Sequence, residues 1–332
     1  MKCTNKLLVL IVTLMAFTLS ACKSANIWMP FSEYSKDFHN TVGRTSIIEH
    51  SSYDNRIDGF STDLCVFSND VTVPNFSAQD AEVALLINIQ TNEVIYSKNS
   101  FEKKYPASIT KLMTAIVAIE NSTLDEVITV TEAVNEITEP GAVLLGINPG
   151  DMMTMDQALR LMLLSSYNDV AVAIAVHIGG SVEGFSELMN EKALELGATH
   201  SHFTNPSGLN VDSSHYTTGY DLYLILNEVI KNSTLLEIIQ STDYNTVITD
   251  KNKNERSVGA QNTNRYFYGT YSLPENLNLV GGKTGTTDEA GHCLLMMVRD
   301  VNSTPYIALI LNAGSTDDLY NQMTEMLSQI TN

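Results

Sequence analysis

The chain has 332 residues, 44% of them hydrophobic and 17% charged, with 19 Lys and Arg against 38 Asp and Glu for a net charge of −19. That length buries a proper core in one large or two small domains, and the composition excludes a disordered or fibrous chain. So acidic a surface repels phosphate backbones, which argues against nucleic acid as a partner. The seven histidines show no HExxH spacing, and no GxxxxGK[ST] or GxGxxG stretch appears. No metal and no nucleotide cofactor are therefore expected.

In chain order, the N-terminus reads as an export signal. "MKCTNK" supplies Lys2 and Lys6, and "LLVLIVTLMAFTL" adds 13 mostly apolar residues before "SAC". The run is short for a bilayer span, which needs ~20 residues. Its end, Leu19-Ser20-Ala21-Cys22, resembles the lipobox of bacterial lipoproteins. The resemblance implies removal of residues 1–21, a diacylglyceryl thioether on Cys22 and an extracytoplasmic protein held at the membrane. Cys65 and Cys293 then remain, and the sequence leaves open whether they pair or stay free.

Residues 22–75 are rich in Ser, Asn, Asp and Tyr without periodicity and read as a tether. The folded domain is expected over residues 76–332. Two β-rich runs, Val83–Ile89 and Glu93–Ser97, flank "QTNE" and predict a hairpin. A helix is expected from about Ser108. "TMDQALRLMLLSSYNDVAVAIAVHIGG" and "SVEGFSELMNEKALELG" carry apolar residues at helical spacing and end in Gly, with Ser181 a cap for the second. "NLNLVGGKTG", "GHCLLMMVRD" and "TPYIALILNAG" have strand length, and the short turn between the last two predicts antiparallel neighbours. The final helix, "STDDLYNQMTEMLSQITN", is amphipathic and capped by Ser315 or Thr316. The order predicts an α/β (α+β) fold, an antiparallel sheet flanked by helices, with an all-helical subdomain from the middle of the chain.

Ser108 and Lys111 open an apolar run, "SITKLMTAIVAIE". On a helix, positions i and i+3 share a face, which brings a hydroxyl and an amine within hydrogen-bonding reach. Lysine acts as a base only when burial and a neighbouring cation lower its pKa. Ser-x-x-Lys alone is weak, for it recurs at Ser20–Lys23 and Ser100–Lys103, but only the third copy opens an apolar helix. "SYN", Ser166 to Asn168, falls in a short loop between helices, and "KTG", Lys283 to Gly285, occurs once, on a strand.

In this order the three stretches resemble the active-site set of penicillin-recognising serine enzymes. The match is closest to the low-molecular-weight D-alanyl-D-alanine carboxypeptidases, the S11-type serine peptidases. "YPASITKLMTA", "SSYNDVAVAIA", "FSELMNEKALELGATHSHFTNPSGL" and "GGKTGTTDEAGHCLL" carry the likeness, which runs from about Ala81 to the C-terminus. It implies a β-lactamase/DD-peptidase-like fold and a serine-type D-Ala-D-Ala carboxypeptidase acting on peptidoglycan stem peptides. In that reading Ser108 is the nucleophile, Lys111 its base, and Ser166 the group that passes a proton to the leaving nitrogen. Asn168, Lys283, Thr284, Gly285 and Thr286 bind substrate, with the backbone N–H groups of Ser108 and Thr286 as oxyanion hole. β-Lactams would acylate Ser108 covalently.

Departures from the family are visible. Tyr167 replaces a small residue and is expected to narrow the cleft, Ser207 stands where His is common, and no arginine follows Arg299 to assist carboxylate binding. Many relatives carry a β-rich domain and a C-terminal anchor; this chain ends after one helix, so anchoring is expected from the lipid on Cys22. Two rival readings share the motifs. A class A-like β-lactamase needs a glutamate in an ExxLN loop, and "LGATHSHFTNPSGL" has none. A non-hydrolytic penicillin-binding sensor has no need of Lys111.

Overall fold

The computed structural model describes residues 64–74, 76–209 and 213–330. The export signal, Cys22 and most of the expected tether lie outside them. The expected first hairpin forms as β1 (Ala81–Asn88) and β2 (Glu93–Lys98). Together with β7 (Leu277–Thr287), β8 (Gly291–Asp300) and β9 (Pro305–Ala313), they make one antiparallel sheet in the order β2-β1-β9-β8-β7. The strand β7, which carries KTG, is thus an edge.

The central strands are apolar on both faces because both faces are covered. Val83, Leu85 and Ile87 of β1, with Leu295 of β8 and Leu309 of β9, point into one core. Their alternates Leu86, Leu294, Met296 and Ile310 point into the other, as the two-residue period of a strand dictates. The C-terminal helix α7 (Thr316–Leu327) covers that second face with Leu319, Tyr320, Met323 and Met326, spaced one helical turn apart. Ser315 caps it by accepting the Asp318 N–H; Thr316 is already helical.

The opposite face borders a core shared with six helices: α1 (Lys111–Asn121), α2 (Met155–Ser165), α3 (Asn168–Gly179), α4 (Val182–Glu195), α5 (Gly219–Val229) and α6 (Ser233–Gln240). Thr154 and Gln157 form a reciprocal capping box at the start of α2, satisfying two backbone donors that a helix start otherwise strands. This part of the chain is not purely helical as the sequence predicts. A second antiparallel sheet borders it, β3 (Val127–Thr129), β4 (Met152–Thr154), β5 (Asp243–Thr249) and β6 (Glu255–Gln261), in that order. Strands of three residues are too short for period-two alternation to register, which is why β3 and β4 leave no trace in the pattern.

The domain also begins earlier than residue 76. Cys65 is buried, its N–H donates to the Tyr223 hydroxyl at 2.9 Å, and Val71 accepts the Ser97 N–H at 2.8 Å. Phe67 packs against Phe101 and Tyr220. The described end of the expected tether is therefore part of the domain. Cys65 and Cys293 are free thiols, and burial pushes them up to about 11 and about 12. Both values lie well above neutrality, which disfavours the reactive thiolate.

Candidate active site

Ser108 lies in a 3₁₀ turn, Ala107–Thr110, that runs directly into α1. Side chains at i and i+3 of such a turn eclipse, so the tighter winding aligns Ser108 with Lys111 more closely than the expected α-helix does. The approach is strained. Ala107 sits at φ +47°, in the left-handed region that disfavours a Cβ, and such strain clusters at functional sites.

Lys111 is the first residue of α1 and is fully buried. Its Nζ lies 2.9 Å from Ser108 Oγ, 2.8 Å from Asn168 Oδ1 and 2.8 Å from the Ser207 carbonyl oxygen. Burial holds it well below the ordinary lysine range, the Lys283 ammonium lowers it further, and Asp169 opposes both. The helix start adds to the effect, since the N-terminal end of the dipole disfavours a cation.

Asn168 opens α3 and is fixed in orientation. Its Nδ2 donates to the Val143 carbonyl at 3.2 Å, which turns Oδ1 toward Lys111. Its neighbour Asp169 is buried and accepts the N–H groups of Leu145, Gly146 and Ile147, pinning the loop that carries Val143. Ser166 ends α2 at φ +64°. Among the described residues its buried Oγ has no hydrogen-bond partner. An orphaned hydroxyl costs about 1–3 kcal/mol, and here it faces a cleft.

Lys283 is buried on β7 and donates to the Thr284 carbonyl at 3.0 Å. Burial brings it down to about 7. Gly285 is placed by packing more than by substrate access, the role the sequence suggests for it. A Cβ there would stand 2.9 Å from both the Pro106 oxygen and the Ser108 nitrogen, so only glycine lets β7 lie against the turn that carries Ser108.

A cleft of about 370 Å³ is lined by Ser108, Ser166, Thr284, Gly285 and Thr286 together with Thr263, Arg265 and His292, while Lys111, Asn168 and Lys283 are not among its lining residues. No acidic residue is among those lining it. Two expectations change. Tyr167 does not line the cleft: its hydroxyl donates to Gly259 O at 2.9 Å and its ring walls a separate groove over β5 and β6. An arginine is present at the cleft after all, but before β7. Arg265 is exposed on a 3₁₀ turn, Arg265–Tyr268, and makes no salt bridge to a carboxylate among the described residues. Thr263 ties this turn to β7 through a 2.5 Å hydrogen bond between its hydroxyl and that of Thr284. Among the described residues no cluster of His, Cys, Asp and Glu is arranged to hold a metal.

Side-chain motifs missed the Ser207 carbonyl, Asp169 and Arg265. "NPSGL" marks the first only through its turn chemistry, the second hides directly behind "SYN", and the third stands alone in "TNRYFYG" with no pattern around it.

The fold is of the β-lactamase/DD-peptidase type, and Ser108, Lys111, Asn168 and the KTG strand meet around its cleft. The family model for D-alanyl-D-alanine carboxypeptidases, peptidase S11, matches residues 69–315, and the chain belongs to that family. It is 34% identical to a Bacillus subtilis D-alanyl-D-alanine carboxypeptidase, DacF, over 257 residues, 75% of this chain and 62% of that one. It is 31% identical to an Escherichia coli D-alanyl-D-alanine endopeptidase, covering 69% of this chain and 70% of that one. The chain thus spans less than two thirds of the length of the Bacillus relative. Among solved structures, the Streptomyces K15 DD-transpeptidase superposes with a TM-score of 0.70 at 27% identity, over 78% of this chain and 98% of that one. Penicillin-binding protein D2 of Listeria monocytogenes, in a cefotaxime-bound form, gives 0.62 at 25% identity, over 77% and 99%.

Proposed function

We propose that this chain is a serine-type D-Ala-D-Ala carboxypeptidase that removes the terminal D-alanine of peptidoglycan stem peptides through an acyl-enzyme on Ser108. The observation that carries this reading is the set of three contacts around Lys111 Nζ. A neutral amine has two N–H groups and one lone pair. Asn168 Oδ1 and the Ser207 carbonyl are acceptors only, so they take the two N–H groups and leave the lone pair for the Ser108 hydroxyl.

The reaction then follows. Ser108 Oγ attacks the carbonyl between the two D-alanines as its proton passes to Lys111. The oxyanion rests on the backbone N–H groups of Ser108 and Thr286, each such donor being worth ~10²–10³ in rate. The proton reaches the departing nitrogen through Ser166, the C–N bond breaks, and free D-alanine leaves. Water hydrolyses the remaining ester and returns the proton to the site. β-Lactams acylate Ser108 by the same route. The absence of an acidic residue from the described cleft lining favours this reading over a class A-like β-lactamase, whose deacylation needs a carboxylate base. Mass spectrometry of muropeptides after incubation with the soluble domain tests the proposal: pentapeptide stems should become tetrapeptides, and unchanged stems would refute it.

In its charged form Lys283 draws in the substrate's terminal carboxylate, with Thr284 and Thr286 as hydrogen-bond donors to it. Its value of about 7 fixes a pH dependence. In the free enzyme Lys111 must be neutral and Lys283 charged, so kcat/KM is bell-shaped, with its alkaline limb near pH 7 where Lys283 loses its proton. Lys283→Arg, which keeps its charge, should remove that limb from the profile; a limb that persists in the variant would assign it elsewhere.

Arg265 takes the carboxylate-binding place that the end of the chain lacks. A charge-assisted contact of this kind is worth about 1.5–3 kcal/mol. Arg265→Gln is therefore expected to lower kcat/KM on D-Ala-D-Ala peptides by roughly 10- to 100-fold, mostly through KM. Equal loss on a substrate with an amidated C-terminus would contradict the assignment.

The reading includes extracytoplasmic anchoring through lipid on Cys22. Among the described residues no helix is long and apolar enough to cross a membrane, and two acyl chains bind a bilayer stably. Cys22→Ser should move the protein from the membrane fraction to the soluble one; retention in the membrane would point to another anchor.

A further inference from the structure

Resting on the reading of Lys111 as base, we propose that His215 is a positioning residue whose imidazole holds the Ser207 carbonyl on Lys111 by bracing its loop against the nucleophile's turn. The ring is fully buried and bonded at both nitrogens. Nδ1 accepts the Thr204 backbone N–H at 3.1 Å. An amide N–H only donates, so the ring proton is on Nε2, which lies 3.0 Å from the hydroxyl of Thr110, two residues beyond Ser108.

Both ends of this strut are attached to the reaction centre. Thr204 begins the turn that ends in Ser207, and within it the Asn205 side chain accepts the N–H groups of Ser207 and Gly208. The Pro206 carbonyl accepts from Thr114 of α1 at 2.6 Å. The turn is thus a stiff unit, and moving Thr204 moves the Ser207 oxygen. The strut itself is rigid. Its flanks pair with neighbouring chain on two sides, Tyr216 with His202 and Thr217 with Lys104, and Phe203 packs edge-on against the ring with centroids 5.6 Å apart. A lone pair is useful only when aimed, and misplacement of a reacting group by about 1 Å costs ~10²-fold in rate. A buried histidine that touches no reacting atom, yet joins the base's acceptor to the nucleophile's turn, sets that aim.

The two amide replacements separate the arms. In His215→Asn the side-chain oxygen reaches the Nδ1 position and keeps the bond to the Thr204 N–H; in His215→Gln the amide group reaches the Nε2 position and keeps only Thr110. His215→Leu keeps neither, and Thr110→Val cuts the second bond at constant volume should the leucine variant fold poorly. The measurement is acylation by a fluorescent penicillin, resolved into the non-covalent dissociation constant and the acylation rate constant, across pH. His215→Leu should slow acylation by about 10- to 100-fold with the dissociation constant unchanged, and His215→Gln, His215→Asn and Thr110→Val, each of which cuts one arm of the strut, should slow it less.

The acid limb of the profile separates positioning from general loosening. Lys111 faces two charged groups, Lys283 and Asp169. Loss of the Ser207 acceptor in a still-dry site removes support for the charged amine and moves the limb to lower pH. Water entering a loosened site restores the ordinary lysine range and moves it up. An upward shift, equal rates for the Asn and Leu variants, or wild-type acylation by folded His215→Leu would each overturn the proposal. Full activity in Lys111→Met would instead remove the base reading beneath it.

Discussion

Lys111→Met is expected to lower the acylation of Ser108 by on the order of 10²- to 10⁴-fold, the range for loss of a positioned general base. Methionine fills the same buried slot without a polar terminus. Two stability effects oppose each other: the cost of burying an amine disappears, while Asn168 Oδ1 and the Ser207 carbonyl lose their donor, at about 1–3 kcal/mol each. The variant should therefore stay folded, and circular dichroism settles that point before the rates are compared. Lys111→Arg should fail as completely, because a guanidinium stays charged and has no lone pair to offer. Acylation within tenfold of wild type in either variant would remove Lys111 from the mechanism.

Gly208→Ala carries the second large effect. Gly208 sits at φ +74°, where a Cβ is strained whatever the space, and here there is none. The new methyl would stand 1.8 Å from the Ala107 oxygen and 2.6 Å from Thr110 Oγ1. Backbone must give way on one side. Either the loop lifts, carrying the Ser207 carbonyl off Lys111, or the turn bearing Ser108 is displaced. Strain of this kind belongs with the larger single-site losses, about 3–5 kcal/mol, and it falls on both halves of the site at once. Denaturant unfolding should show that loss at an unchanged m-value. Acylation should fall at least as far as in His215→Leu even where the variant is fully folded. Near-wild-type stability would mean that the loop and the nucleophile's turn are not in contact as described.

Much of this architecture was legible in the chain because it rests on local chemistry. The strands carrying Leu85, Leu295 and Leu309 are continuous apolar runs, and α7 repeats its apolar residues at helical spacing; each announces burial through its period. Ser108 and Lys111 lie three apart, so one turn of any helix aligns them. What stayed hidden works through distance in sequence or through the backbone. The Ser207 carbonyl meets Lys111 across 96 positions, and a carbonyl is common to every residue, so no side-chain motif can mark it. Arg265 reaches the cleft because distant contacts hold its turn, Thr263 to β7 and the Arg265 N–H to the Tyr320 hydroxyl, and neither period nor spacing encodes them. The aromatic at 167 looked obstructive in sequence because its direction was not fixed. The Gly259 carbonyl draws it to the outer wall instead. The early start of the domain was missed for a related reason: Leu64 to Phe67 is an apolar run of four in a polar stretch, too short to show a period, and its partners Tyr220 and Tyr223 are distant in sequence.

The proposed mechanism depends on an uncharged Lys111 directing one hydroxyl, and peptide mapping by mass spectrometry of the penicillin-labelled protein tests this most directly. Wild-type protein at neutral pH should carry a single covalent adduct on the peptide containing Ser108, and neither Ser108→Ala nor Lys111→Met should carry it in the same time. An adduct on any other residue, or undiminished labelling of the Lys111 variant, would contradict the account.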